Sequence, residues 1–323
     1  MRKLLLSTTA LAAAATLSAN TAMADISISG YYEWKYTSQS SDITTQDGTS
    51  FSSDSEIKFS FTNKTDSGLT IGMVTELESD DADTAINEGS MSISGGFGKL
   101  VLGGNDGVGD NYGVASTDLP AEEIYATGTD TLTILNADIS GMSGDSNKVS
   151  YHLPAMGGLT AGISYMDSGV AGSADSTEVG VKYGMSTGGA AITLGGATAT
   201  TENSTQDIDS QVIGVKVASG NITAAVSQAT YEASNTDEES TGASVQFKVS
   251  DAMTFTVHTA ETDDSTSNEE YSNTGAEITY TIASGLTAYL NVEDYDYKIG
   301  SGSGAGTTAD SGTASKLTIK ATF

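Results

Sequence analysis

The chain contains no cysteine, so disulfides and thiolate metal sites are both excluded. Its two histidines, His152 and His258, are too few for a multi-histidine zinc site. Only two prolines, Pro120 and Pro154, interrupt 323 residues, which leaves long stretches of backbone free to pair. Arginine occurs once, at Arg2, and from residue 25 onward 11 lysines face 42 acids, a formal charge of −31. That balance excludes nucleic acid as a partner, because affinity for phosphate needs a basic footprint. Catalytic signatures are missing too. No G-x-S-x-G elbow supports a hydrolase, and the glycine-rich "GGNDGVG" has neither the lysine nor the helix that would cradle a phosphate. The chain does not read as an enzyme.

Apolar runs long enough to cross a bilayer as helices are also absent. The one apolar stretch, Leu4 to Leu17, follows basic Arg2 and Lys3 and precedes Ala22-Met23-Ala24, which is the layout of a secretory signal peptide over residues 1–24. Export and cleavage would leave one domain, 25–323. With 37% hydrophobic residues and this acidity, disorder is the obvious expectation. Strict alternation argues against it, since apolar residues recur at every second position through sixteen short segments. The sixteen fall at about 25–37, 54–65, 68–79, 87–95, 98–104, 147–153, 159–167, 176–187, 190–201, 208–218, 221–232, 241–250, 253–262, 271–283, 286–297 and 313–323. Short turns such as "TDSG", "GGFG" and "PAMGG" alternate with longer polar connections, among them "SSDITTQDGTSFSS" and an acidic loop around Asp237 to Glu239. No segment of 25–323 has a helical period, although "AEEIYAT" suits a single turn.

The lysines discriminate between a soluble sheet and a membrane one. Ile57 and Phe59 oppose Lys58; Val181 and Tyr183 oppose Lys182; Val215 and Val217 oppose Lys216; Val245 and Phe247 oppose Lys248. Lys316 and Lys320 oppose Leu317 and Ile319, Lys35 opposes Trp34 and Tyr36, and Lys148 opens another such strand. An outer-membrane barrel requires this arrangement, with the apolar face on lipid and the charged face on a water-filled interior. The chain ends flush on "KLTIKATF", an alternating strand that closes with Phe323.

"NKVSYHLPAMGGLTAGISY" (Asn147 to Tyr165) resembles a paired-strand motif of the Gram-negative general porins, and "GGFGKLVLGGND" (Gly95 to Asp106) is similar to the strand that leads into their constriction loop. The likeness covers the whole chain and is nearest to the alphaproteobacterial sixteen-stranded porins. It implies an all-β transmembrane antiparallel barrel of 16 strands, in the outer membrane of a Gram-negative bacterium, with a long loop (L3, 105–147) folded into the lumen. That loop carries Asp106, Asp110, Asp118, Glu122, Glu123, Asp130, Asp138 and Asp145 and no base before Lys148. Facing it, the resemblance puts wall lysines Lys35, Lys58, Lys148, Lys182, Lys216, Lys248, Lys316 and Lys320, without the arginines usual in the family. The implied partners are small hydrophilic solutes and ions, outer-membrane lipid, and an assembly machinery that reads Phe323; the implied assembly is a homotrimer. The function implied is passive diffusion with a modest cation preference. A substrate-specific channel and a secreted all-β surface or adhesion protein remain as alternatives. No cofactor is implied. Asp263-Asp264 and Glu269-Glu270 offer oxygen ligands to calcium but lack the spacing of a calcium loop.

Overall fold

A computed structural model describes residues 25–42, 47–78, 88–116, 119–120, 144, 146–168, 174–202, 207–300 and 309–323. The described strands are β1 (Asp25–Ser41), β2 (Gly48–Lys64), β3 (Thr70–Glu78), β4 (Glu88–Gly95), β5 (Gly98–Gly104), β6 (Asn147–His152), β7 (Leu159–Met166) and β8 (Asp175–Thr187). They continue as β9 (Ala190–Glu202), β10 (Asp207–Ser219), β11 (Ile222–Ala233), β12 (Thr236–Lys248), β13 (Met253–Asp264), β14 (Glu269–Ala283), β15 (Leu286–Lys298) and β16 (Asp310–Thr322). Each pairs antiparallel with its neighbours in sequence, and β16 returns to β1, so the sheet closes into a sixteen-stranded barrel with no free edge. The closing seam pairs Glu33 with Lys320 and Trp34 with Ile319.

Burial in this barrel is inverted relative to a soluble protein. Glu178, Glu238, Glu277 and Glu293 are among the largest fully buried side chains, whereas Ile26, Phe51, Ile213, Val226 and Phe247 are exposed on the outside. An apolar exterior that runs around the whole ring has no stable neighbour in water; lipid is the phase that matches it. Among the described residues no helix is long and apolar enough to cross a membrane, and the strands make the crossing. Trp34 stacks on Phe51 at 5.4 Å on the outer face.

The chain end is built into the wall. Phe323 exchanges backbone hydrogen bonds with Gly30, donating at 3.1 Å and accepting at 3.2 Å, and its ring is 70% exposed on the lipid side. A Cβ on Gly30 would lie 2.9 Å from that ring and would overlap the Glu56 carbonyl, so the glycine makes room for the terminal aromatic.

Three expectations about boundaries change. β2 begins at Gly48, so much of the presumed loop "SSDITTQDGTSFSS" is strand. β12 begins at Thr236, and Asp237 to Glu239 pair across to Glu232, Tyr231 and Thr230 of β11 instead of forming a loop. Phe51 apart, both stretches are polar, so no apolar alternation marks them, and the ladder extends through them because β1 and β13 offer partners. The third change is a short helix, α1 (Val108–Tyr112), where no helical period was expected; "AEEIYAT" lies outside the described residues.

Candidate functional site

After β5 the chain turns inward instead of outward. Asn105 and Asp106 lead into α1, whose apolar side, Val108 and Tyr112, is buried against β7, β8 and β9. Five residues are too few for an independently stable helix, so the wall must hold it. Gly109 N–H donates to Glu178 Oε2 at 3.0 Å, Val108 N–H donates to Ser164 Oγ at 3.3 Å, and Lys182 Nζ donates to the Asn111 carbonyl at 2.9 Å. The helix therefore has a carboxylate at its positive end and an ammonium on a carbonyl at its negative end, the polarity that the macrodipole favours.

Tyr112 reaches across to His152 of β6, with its hydroxyl 2.9 Å from Nδ1. Burial pushes the phenol above its usual value, so it stays protonated at neutral pH. Farther along, Ser116 is fastened on both sides: its N–H donates to Ser227 Oγ at 2.7 Å, and its carbonyl accepts from Ser244 Oγ. Gln246 Nε2 then donates to the Leu119 carbonyl at 2.9 Å. Residues 107–116 and 119–120 thus lie along the inner wall from β7 to β12.

The expected acids divide into two groups. Asp106 and Asp110 are exposed on this inward segment. Asp118, Glu122, Glu123, Asp130, Asp138 and Asp145 lie outside the described residues.

All eight expected lysines occupy inward register positions, yet they do not form one positive wall. Lys35 sits 2.9 Å from Glu33 and 3.4 Å from Asp54; Lys320 also pairs with Glu33; Lys58 lies 2.5 Å from Glu76 and 3.7 Å from Glu56. In a ring of sixteen, these strands, β16, β1 and β2, lie across the lumen from α1. Lys148 and Lys182 are instead part of the loop's attachment, since Lys148 Nζ donates to the carbonyls of Asn105, at 2.6 Å, and Gly144. Lys248 is at the short-turn rim, 2.8 Å from Asp251, whose carboxyl this contact holds below its usual range. Lys216 and Lys316 are half-buried on the inner wall.

Sequence reasoning missed several inward groups. Lys64 and Lys99 also occupy inward positions. His258 of β13 is buried with Nε2 2.7 Å from Glu293 Oε1. The room for this pair comes from Gly275, where a Cβ would meet the imidazole; nothing in the local pattern links positions 258, 275 and 293. The two acid pairs considered for calcium are each divided by strand alternation. Asp264 and Glu269 are buried on the inner side, while Asp263 and Glu270 face out beside Glu261, their carboxylate oxygens within 4.8 Å of one another.

Comparison with known proteins bears on this arrangement. The family model of the Gram-negative porins matches residues 7–300. An outer-membrane protein of Vibrio cholerae, OmpT in a trimer form, is similar at 16% identity and a TM-score of 0.69, covering 93% of this chain and 99% of that one. An anion-selective porin from Comamonas acidovorans is similar at 16% identity and a TM-score of 0.67, covering 93% and 100%. A doubly substituted porin of Rh. blastica is similar at 17% identity and 0.64, again covering 93% and 100%. At these identities the solved structures speak for the fold alone. The comparison with curated proteins returned no match.

Proposed function

The chain belongs to the Gram-negative porins, outer-membrane channel proteins, and from that premise we propose that it is a passive, water-filled diffusion channel for small hydrophilic solutes and ions with a modest preference for cations. One observation carries the sign of the preference. Exposed Asp106 and Asp110 ride on a segment seated inside the barrel, while Lys35, Lys58 and Lys320 across the lumen are each matched by carboxylates. Those three lysines face four carboxylates, Glu33, Asp54, Glu56 and Glu76, so this part of the wall has no positive surplus and the loop acids add to the negative side of the passage. The fold does not dictate this sign, since the similar Comamonas protein is described as anion-selective.

In this reading residues 1–24 direct export, Phe323 is read by the outer-membrane assembly machinery, and three protomers associate, each with its own pore; the similar Vibrio cholerae protein is described in a trimer form. The measurement that tests the preference is the reversal potential of the purified protein in a planar bilayer under a salt gradient. Wild type is expected to prefer cations. Changing Asp106 and Asp110 to Asn, and separately Glu122→Gln, Glu123→Gln and Asp130→Asn together, is expected to reduce that preference while the barrel still folds. A wild-type anion preference, or a preference untouched by both sets, would overturn the reading.

A further inference from the structure

Strand interiors do not favour glycine, which supplies no packing and loses the most conformational freedom on ordering. Four glycines nevertheless sit inside adjacent strands on the inner face: Gly162 of β7, Gly180 of β8, Gly195 of β9 and Gly214 of β10. Gly162 is the register partner of Gly180, and Gly195 of Gly214; Gly195 is opposite Lys182, two residues along from Gly180, so the four form a lane across four strands with one two-residue step. None has a positive φ, so backbone conformation does not explain them.

Space does. A Cβ on Gly180 would lie 2.7 Å from both the Val108 carbonyl oxygen and Tyr112 Cβ. On Gly195 it would lie 2.5 Å from Val114 Cγ2 and 2.6 Å from the Tyr112 carbonyl oxygen. On Gly162 it would meet the Tyr112 ring at 2.8 Å and Val108 Cγ1 at 3.0 Å, and on Gly214 it would overlap the carbonyl of Val114. Every one of these first contacts belongs to the inward loop, and several are with its backbone, which has no rotamer by which to yield.

We propose that this glycine lane is the seat that sets how deeply the loop projects into the lumen, which makes Gly162, Gly180, Gly195 and Gly214 positioning residues for the bore of the channel. The lane lets the segment from Val108 to Val114 lie flat on the wall, after which Ser227 and Ser244 take over as its fastening at Ser116. A methyl group added to the lane must displace either the wall or the loop. The wall is ladder-bonded on both sides within a closed ring, and the loop is tied at a few points, so the loop moves and the passage narrows. The inference rests on the channel reading above.

The test compares single-channel conductance in planar bilayers, and entry of neutral sugars of increasing size into proteoliposomes, for wild type, Gly180→Ala, Gly195→Ala, Gly214→Ala and Gly184→Ala. Gly184 shares the strand and the inner face of Gly180 but has open space at its Cβ position, so it adds the same methyl without touching the loop. The first three variants are expected to lower conductance by a factor of about two and to exclude the larger sugars, with Gly184→Ala matching wild type. Val114→Ala, which removes the Cγ2 contact, is expected to restore part of the conductance of Gly195→Ala and to raise it when made alone. Folding is read from heat-modifiable migration; Val114→Ala leaves the sheet unaltered and gives a result even where a glycine variant fails to fold. Wild-type conductance in folded Gly195→Ala or in Val114→Ala, or an equal drop in Gly184→Ala, would overturn the seat. A wild-type protein that forms no channel at all would overturn the channel reading instead.

Discussion

Phe323 closes the barrel by its backbone and presents its ring to lipid, so its removal deletes two hydrogen bonds to Gly30 along with the apolar surface beside them. Deletion of Phe323 is expected to lower the amount of heat-modifiable barrel in the outer membrane while export across the inner membrane continues. Normal folded levels would count against an assembly role. Glu33 is a second residue on which much depends. It is buried and holds both Lys35 and Lys320. In Glu33→Gln two ammonium groups lose a shared counter-charge, so the reversal potential should move toward anions and the unfolding transition should fall by about 1–3 kcal/mol. An unmoved reversal potential would show that these lysines lie outside the ion path.

Alternation marks the strands that have one apolar face, such as the segment around Val245 and Phe247, where Lys248 lies on the other side. The strand portions that look like loops are polar on both faces except at Phe51. In β12, Asp237 and Glu239 look like loop residues because their outward neighbours in the wall are acids as well: Glu232 is opposite Asp237, and Asp263 is opposite both Glu239 and Glu270. Directly opposed like charges destabilise a sheet. Asp263→Asn is therefore expected to raise the thermal unfolding transition, by about 0.2–1 kcal/mol and more at low salt. An unchanged or lowered transition would mean that the ladder is already compensated.

The charge of the whole molecule is not the charge of its pore. Asp209, Glu232, Glu239, Glu261, Asp263 and Glu270 face outward near the long-connection end, while the inner wall interleaves carboxylates with lysines. The negative surplus seen in composition therefore says little about selectivity, which on the proposed reading is set by the loop acids and their surroundings. Assembly belongs to this level too. Mass measurement in mild detergent is expected to give three chains per particle, and a monomer alone would contradict the trimer.

Sixteen strands, their order and their inward and outward faces were legible in the chain because a period of two is local: each residue's side follows from its neighbours, whatever the rest of the molecule does. The unusual connection of 105–147 was also visible, from its length and its acids. What no local pattern contained was the partnership between distant positions. Gly162, Gly180, Gly195 and Gly214 read as weak strand residues until the loop lies on them, and Lys148 and Lys182 read as free wall charges until their ammonium groups meet loop carbonyls. Likewise, the pairing of Lys35 and Lys320 on one buried glutamate exists only because β16 closes against β1. Ring closure and the inward path of one loop bring together groups that are far apart in sequence, so the bore and its field are properties of the tertiary structure.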